Sequence, residues 1–177
     1  MRIISGRFAR KNITAPANLP VRPTTDFAKT GLFNILNNKI NFKEVAALDL
    51  FAGTGNISYE FISRGADRIT CVDQSQACTK FITQTFELLH ANEALVIKQD
   101  VFSFLSETNK TYDLIFADPP FNFQHYTELV DTIFEKGILN KNGLLVLEHG
   151  GNINFSQNKF IIEERKYGAV HFSFFKN

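Results

Sequence analysis

Apolar residues in this chain fall into two textures. From residue 45 onward, short unbroken apolar runs alternate with longer runs of helical period. "VAALDLF" (45–51), "RITCVD" (68–73), "ALVIKQD" (94–100) and "YDLIFAD" (112–118) read as buried strands, and "ILNKNGLLVLEH" (138–149) adds a fifth after Asn142-Gly143. Between them, "NISYEFISRGA" (56–66, ending near Gly65), "SQACTKFITQTFELLHAN" (75–92), "VFSFLSE" (101–107) and "HYTELVDTIFEKG" (125–137) read as helices. The tail, "KFIIEERKYGAVHFSFF", holds two β-rich runs joined by Lys166-Tyr167-Gly168 and predicts a hairpin. Strand–helix alternation closed by a hairpin argues for an α/β doubly wound sheet, mostly parallel, with an antiparallel C-terminal edge.

Before residue 45 the texture is different. "RIIS" and "NITA" are short extended pieces around Gly6-Arg7, followed by a loop with Pro16, Pro20 and Pro23, which suggests a small β-hairpin arm over 1–24. Thr24 or Thr25 then caps a helix over Asp26 to Asn37, whose apolar positions are Phe27, Leu32, Phe33, Ile35 and Leu36. No repeat or long linker interrupts the chain, so 1–177 reads as one domain, an arm (1–24) on a core (25–177).

Composition changes this picture little. The chain has 177 residues, 44% hydrophobic and 21% charged, which suits one globular domain. No apolar run approaches the roughly 20 residues of a membrane span. The opening "MRIISGRFARK" has no apolar segment with a small-residue cleavage site, so no signal peptide is read there. Cys71 and Cys78 have no CxxC spacing and read as reduced thiols. The simplest expectation is a cytoplasmic monomer.

Charge changes it more. The net charge is +1, yet residues 1–43 carry eight basic residues (Arg2, Arg7, Arg10, Lys11, Arg22, Lys29, Lys39, Lys43) against Asp26 alone. A basic opening on an acidic body points to a polyanion partner.

The candidate chemistry sits at strand ends. In "LDLFAGTGNIS" (48–58), Gly53 and Gly55 form a tight turn from strand to helix, where an open α/β sheet binds ligands. Ser58 stands where a dinucleotide fingerprint wants a third glycine, and Asp49 lies inside the preceding strand. A carboxylate there repels a pyrophosphate and suits a cationic ligand, which favours S-adenosylmethionine over a nicotinamide dinucleotide. Asp73 closes the second strand, where it can accept both ribose hydroxyls. Asp100 ends the third and can accept from the adenine amino group, with the Val101 backbone on the ring nitrogens; an ordinary helix cap is the other reading. Asp118 completes the row. Asp118-Pro119-Pro120-Phe121 suits methylation of a planar exocyclic or amide nitrogen. Hydrogen bonds from its N–H groups to the Asp118 carboxylate and Pro119 carbonyl favour a pyramidal nitrogen, the prolines fix the acceptors, and Phe121 stacks on the base. No metal is required.

LDLFAGTG, VDQS, QDVFSFL and DPPF, in this order, resemble class I S-adenosylmethionine-dependent amino-methyltransferases. The flanks "MRIISGRFARKNITAP", "RPTTDFAKTGLFNIL", "LLVLEH" and "RKYGAVHFSFF" are similar to the bacterial RsmD family, which methylates N2 of a guanine in small-subunit (16S) ribosomal RNA. The resemblance covers nearly the whole chain and implies a Rossmann-like methyltransferase fold. It implies S-adenosylmethionine contacts at Asp49, Phe51, Gly53, Gly55, Asn56, Asp73, Gln74, Asp100 and Val101, and a guanine held by Asp118, Pro119, Pro120 and Phe121. It implies rRNA, or a small-subunit assembly intermediate, bound by Arg2, Arg7, Arg10, Lys11, Arg22 and Thr24. Phe121 stands where that family often has tyrosine, and Phe27 and Thr30 replace charged residues common in that helix. Three other readings stay open: methylation of a protein glutamine N5, of DNA adenine N6, and a non-catalytic binder of the same cofactor that chaperones RNA. His125, His149 and Phe123 carry no assignment.

Overall fold

The computed structural model describes residues 1–17, 19 and 25–177. The expectations for Pro20, Arg22, Pro23 and Thr24 lie outside the described residues. The elements run α1 (Asp26–Lys39), β1 (Ala46–Leu50), α2 (Asn56–Ser63), β2 (Arg68–Asp73), α3 (Gln76–Leu89), β3 (Ala94–Lys98), α4 (Val101–Glu107), β4 (Tyr112–Ala117), α5 (Tyr126–Glu135), β5 (Leu139–Gly150), β6 (Ile161–Tyr167) and β7 (Val170–Phe175).

The strands form one sheet in the order β3-β2-β1-β4-β5-β7-β6. β1 to β5 are parallel, and β7 pairs antiparallel with both β5 and β6. The doubly wound sheet and its C-terminal hairpin are therefore as the pattern predicts. Alternate residues of each strand feed two cores. Ala47, Leu114, Phe116, Val146, Phe172 and Phe174 join α1, α2 and α3 on one face. Leu48, Ile115, Leu145, Leu147 and Phe175 join α4 and α5 on the other. The order reverses between β1 and β4, and crevices at such switch points are where open α/β sheets bind ligands. No helix among the described residues is long and apolar enough to cross a membrane.

Some boundaries differ from the expectation. Thr25 caps α1, accepting from the Ala28 N–H at 3.2 Å, but the helix runs two residues past Asn37, to Lys39. β3 stops at Lys98, and Asp100 is the N-cap of α4, accepting from the Ser103 N–H at 3.0 Å. β5 begins before Asn142-Gly143 and absorbs that pair as an irregularity, with Asn142 at φ 67° and a register shift opposite Tyr112 and Leu114.

The arm is a hairpin held by few bonds of its own. Arg2 bridges Asn12, the Ile3 N–H donates to Lys11 O at 3.0 Å, and the Arg10 N–H donates to Ile3 O at 2.8 Å. Its seat is α2. The Arg7 N–H donates to Ser63 O at 2.7 Å, the Phe8 N–H to Ser63 Oγ at 3.0 Å, and the Ile4 N–H to Glu60 Oε1 at 2.6 Å. Gly6 makes this approach possible: its φ is +85°, and a Cβ there would lie 1.7 Å from Ser63 O.

Candidate active site

Four acids gather at the carboxyl edge of the sheet. Asp49 pairs with Phe116 across β1 and β4, and Ala117 pairs with Leu147 across β4 and β5. Asp49, Asp118 and Glu148 therefore project from one face, above Phe116 and Val146. Asp49 is buried and accepts from Ser58 Oγ. Burial pushes its carboxyl up to about 7; the Ser58 hydrogen bond opposes the rise and the Asp73 charge adds to it. Asp118 is held well above the usual carboxylate range, first by burial, then by the charges of Glu148 and Asp49. The buried Tyr126 phenol, at the start of α5, is pushed up by burial and then by the charges of Asp118 and Glu148. Such a concentration of negative potential favours a cation.

Asp73 organises the loop beside them. Its Oδ2 accepts from the Gly53 N–H and its Oδ1 from the Ser75 N–H, both at 2.8 Å. Each oxygen keeps a second lone pair, so the carboxylate can still accept from a ligand's hydroxyl pair. The turn from β1 to α2 takes three consecutive odd positions into the left-handed region: Phe51 at φ 58°, Gly53 at 56° and Gly55 at 75°. For Phe51 that conformation is strained, by about 1–3 kcal/mol. The ring packs edge-on against Phe123, 5.3 Å between centroids. Gln74 is exposed one residue beyond Asp73, and Val101 is buried behind the exposed Asp100.

The Asp118–Phe121 segment leaves β4 with Asp118 N–H donating to Leu50 O at 3.3 Å. Pro119 is buried, Pro120 is exposed, and Phe121 is fully exposed with its ring turned to solvent. The turn closes with the Phe123 N–H donating to Pro120 O at 2.8 Å. Phe123 packs with Phe51, Phe102, His125 and Tyr126, so its ring supports the loop from beneath. His125 is exposed and pairs with Glu128 at 2.9 Å. His149 turns into the other face of the sheet, where Nε2 meets Ser173 Oγ at 2.8 Å, and burial lowers its pKa.

Among the described residues, the structure redistributes the basic opening. Lys29 is fully buried in α1, donating to Arg2 O at 2.7 Å and Asn56 Oδ1 at 2.8 Å and pairing with Glu60 at 3.2 Å. Asn56 thus turns its side-chain oxygen to Lys29. Arg7 pairs with Glu93 at 2.8 Å and Lys39 with Glu163 at 2.6 Å. Arg2, Arg10, Lys11 and Lys43 are exposed without a carboxylate partner among the described residues. Along α2, about 12 Å long at the usual rise, Arg2 lies at the end nearest the acids, through Lys29 and Asn56. The tip of the arm lies at the opposite end, at Ser63, so Arg7 and Arg10 stand away from the cleft. The sequence pattern left Glu148, Tyr126 and the Lys29 network without a role. Glu148 had a signal, since "LLVLEH" ends a strand in an acid like its neighbours; a buried lysine in an otherwise basic stretch had none.

A family model described as conserved hypothetical protein 95 matches residues 1–176. The chain belongs to this family, the RsmD family. A similar RsmD-family relative is "Ribosomal RNA small subunit methyltransferase D" of Buchnera aphidicola subsp. Baizongia pistaciae, 29% identical across 100% of this chain and 92% of that one. Among solved structures, "Putative methyltransferase yhhF from Escherichia coli" superposes with a TM-score of 0.87 at 26% identity, covering 100% of this chain and 97% of that one. The methyltransferase fold also extends to "SMU.776, a putative methyltransferase complexed with SAH", with a TM-score of 0.70 at 22% identity over 86% of this chain and 50% of that one.

Proposed function

We propose that this protein is a cytoplasmic S-adenosylmethionine-dependent methyltransferase acting on the exocyclic N2 of a guanine in small-subunit ribosomal RNA. The observation that carries the reading is the placement of Asp118 and its rigid Pro-Pro turn beside the buried Asp49 and the Gly53–Gly55 loop. The family membership and the relative named for small-subunit rRNA support it. The whole chain acts as one catalytic unit, with the arm over 1–24 contributing to RNA contact and residues from 25 onward forming the core.

The residues present fit the donor. Asp73, already fixed by two backbone N–H groups, would hold the ribose, with Gln74 beside it. The loop over Phe51, Gly53, Gly55 and Asn56 would pass along the ligand, and the Asp49 carboxylate would offset its cationic end. Val101 would line the adenine. Asp100 is committed to capping α4, so its share in adenine binding is confined to its remaining lone pairs. When bound, S-adenosylmethionine supplies an electrophilic methyl group on a sulfonium.

The chain's own contribution is to prepare the nucleophile. The Asp118 carboxylate and the Pro119 carbonyl take the two amino hydrogens. Holding both out of the base plane withdraws the lone pair from the ring and directs it at the donor. Pro119 and Pro120 keep these acceptors from relaxing. Phe121, open to solvent, stacks on the guanine, a contact worth about 1–3 kcal/mol. The proton leaves the methylated product to water, as its ammonium-like nitrogen is strongly acidic.

The test is transfer of tritiated methyl groups to undermethylated small subunits, with nucleoside analysis of the product. Labelled N2-methylguanine is expected; label in protein, in another nucleoside or nowhere would overturn the proposal. Asp118→Ala should keep donor binding by calorimetry and lose at least about 100-fold in transfer.

A further inference from the structure

The acceptor motif alone selects any planar amino nitrogen, yet the reading above needs a guanine. Glu148 stands where such a discrimination can be made. β4 and β5 run parallel with Ala117 opposite Leu147, so the next residues, Asp118 and Glu148, stand side by side. Adjacent strands lie about 4.8 Å apart. Both side chains leave the face that carries Phe116 and Val146, and Glu148 is only 8% exposed. The Glu148 charge helps to hold the Asp118 carboxyl above its usual range, and the Tyr126 phenol is raised by both charges, which places the three groups together.

The edge of a purine bearing the amino group has a distinct donor pattern. Guanine presents the N2 amino group and, next to it, N1–H: donors side by side. Adenine presents its amino group next to N1 as a lone pair. A pair of carboxylates matches the first pattern and repels the second.

We propose that Glu148 is a specificity-determining residue that accepts from guanine N1–H while Asp118 accepts from the N2 amino group. The proposal rests on the reading that the substrate is a guanine in RNA. Rejection then comes from an unpaired lone pair facing a buried carboxylate, a stronger discriminator than the shape of an apolar pocket. The nearby Asp49 does not compete for the base, because Ser58 Oγ already bonds its Oδ2 and its strand position, opposite Phe116, is set back by two residues from Asp118.

The experiment has two stages. Wild-type enzyme is first assayed on undermethylated small subunits, and the modified nucleotide is mapped. Failure to form N2-methylguanine overturns the parent reading, and this proposal with it. Small subunits are then assembled on rRNA carrying either guanine or 2-aminopurine at the mapped position; the analogue keeps the amino group but has no N1–H. Wild-type enzyme should prefer guanine by about 10- to 100-fold in kcat/KM. Glu148→Gln, which can donate to an N1 lone pair, should reduce that preference to within a few-fold, with donor affinity unchanged by calorimetry. Equal use of the two bases by the wild-type enzyme would overturn the proposal without recourse to any variant. A Glu148→Gln enzyme slowed equally on both bases would also overturn it, since a purely structural role has that outcome.

Discussion

Asp49 allows the cleft's electrostatics to be measured before any substrate is found. Its carboxyl ionises near 3.8 when unperturbed and is pushed up to about 7 in the fold, chiefly by burial. The folded value lies above the unfolded one, so the native state keeps a proton that the unfolded chain has lost. Stability contributed by this group is therefore full below about pH 4, declines as pH rises through the interval, and is exhausted above about 7. Between pH 5 and pH 7 one such group lowers the unfolding free energy by about 2 kcal/mol. Urea unfolding of wild type and Asp49→Asn at pH 5, 6, 7 and 8 isolates it. Asp118 shifts in the same direction and owes part of its shift to the Asp49 charge, so the difference curve reports Asp49 together with its coupling to Asp118. The wild type should lose about 2 kcal/mol relative to Asp49→Asn across that range. A cationic donor selects the ionised carboxylate, so its binding near pH 6 should release close to one proton in the wild type and markedly less in the variant. That is measured by calorimetry in buffers of different ionisation enthalpy. Parallel stability curves, together with equal proton release, would refute the argument.

Three further outcomes follow from the arm and its seat. Gly6→Ala places a methyl against Ser63 O and should cost about 1–3 kcal/mol in urea unfolding; faster tryptic cleavage at Arg7 or Arg10 would show that the arm has lifted. Lys29→Met leaves Glu60 short of a buried partner and should cost about 3 kcal/mol, part of which a second change, Glu60→Gln, should restore. Replacing Arg10 and Lys11 by alanine should lower the slope of log affinity against log salt for rRNA by about 1.5, whereas Arg7→Ala, whose guanidinium already has Glu93, should change it less.

Much of the fold was legible because strands buried on both faces leave unbroken apolar runs. The strand order, and with it the pairing of β1 with β4, is a long-range outcome that no local run encodes. The site was legible as residues more than as geometry. Asp49, Asp73 and Asp118 could be read as acids near strand ends, and Gly53 and Gly55 as a turn. That Asp73 spends one lone pair of each oxygen on Gly53 and Ser75 could not be read. Asp100 shows the limit most clearly: a strand-ending acid and a helix cap look alike in sequence, and only the ending of β3 at Lys98 separates them. The charge count misled in a similar way. Lys29 and Lys39 enter the total for a basic opening, yet each is matched by a glutamate, at 60 and 163, that lies far along the chain.

The seating of the arm on α2 also bears on the order in which the molecule assembles during synthesis. Residues 1–13 find their hydrogen-bond partners at Glu60 and Ser63, and Lys29 finds its own at Asn56 and Glu60. These segments leave the ribosome before their partners, the arm by some 55 residues and Lys29 by some 27, and wait for them before they can dock, because loop closure must precede the contacts that reward it. Until then a basic segment, with its lysine still charged and hydrated, is exposed beside ribosomal RNA, the same polymer the finished enzyme is proposed to modify.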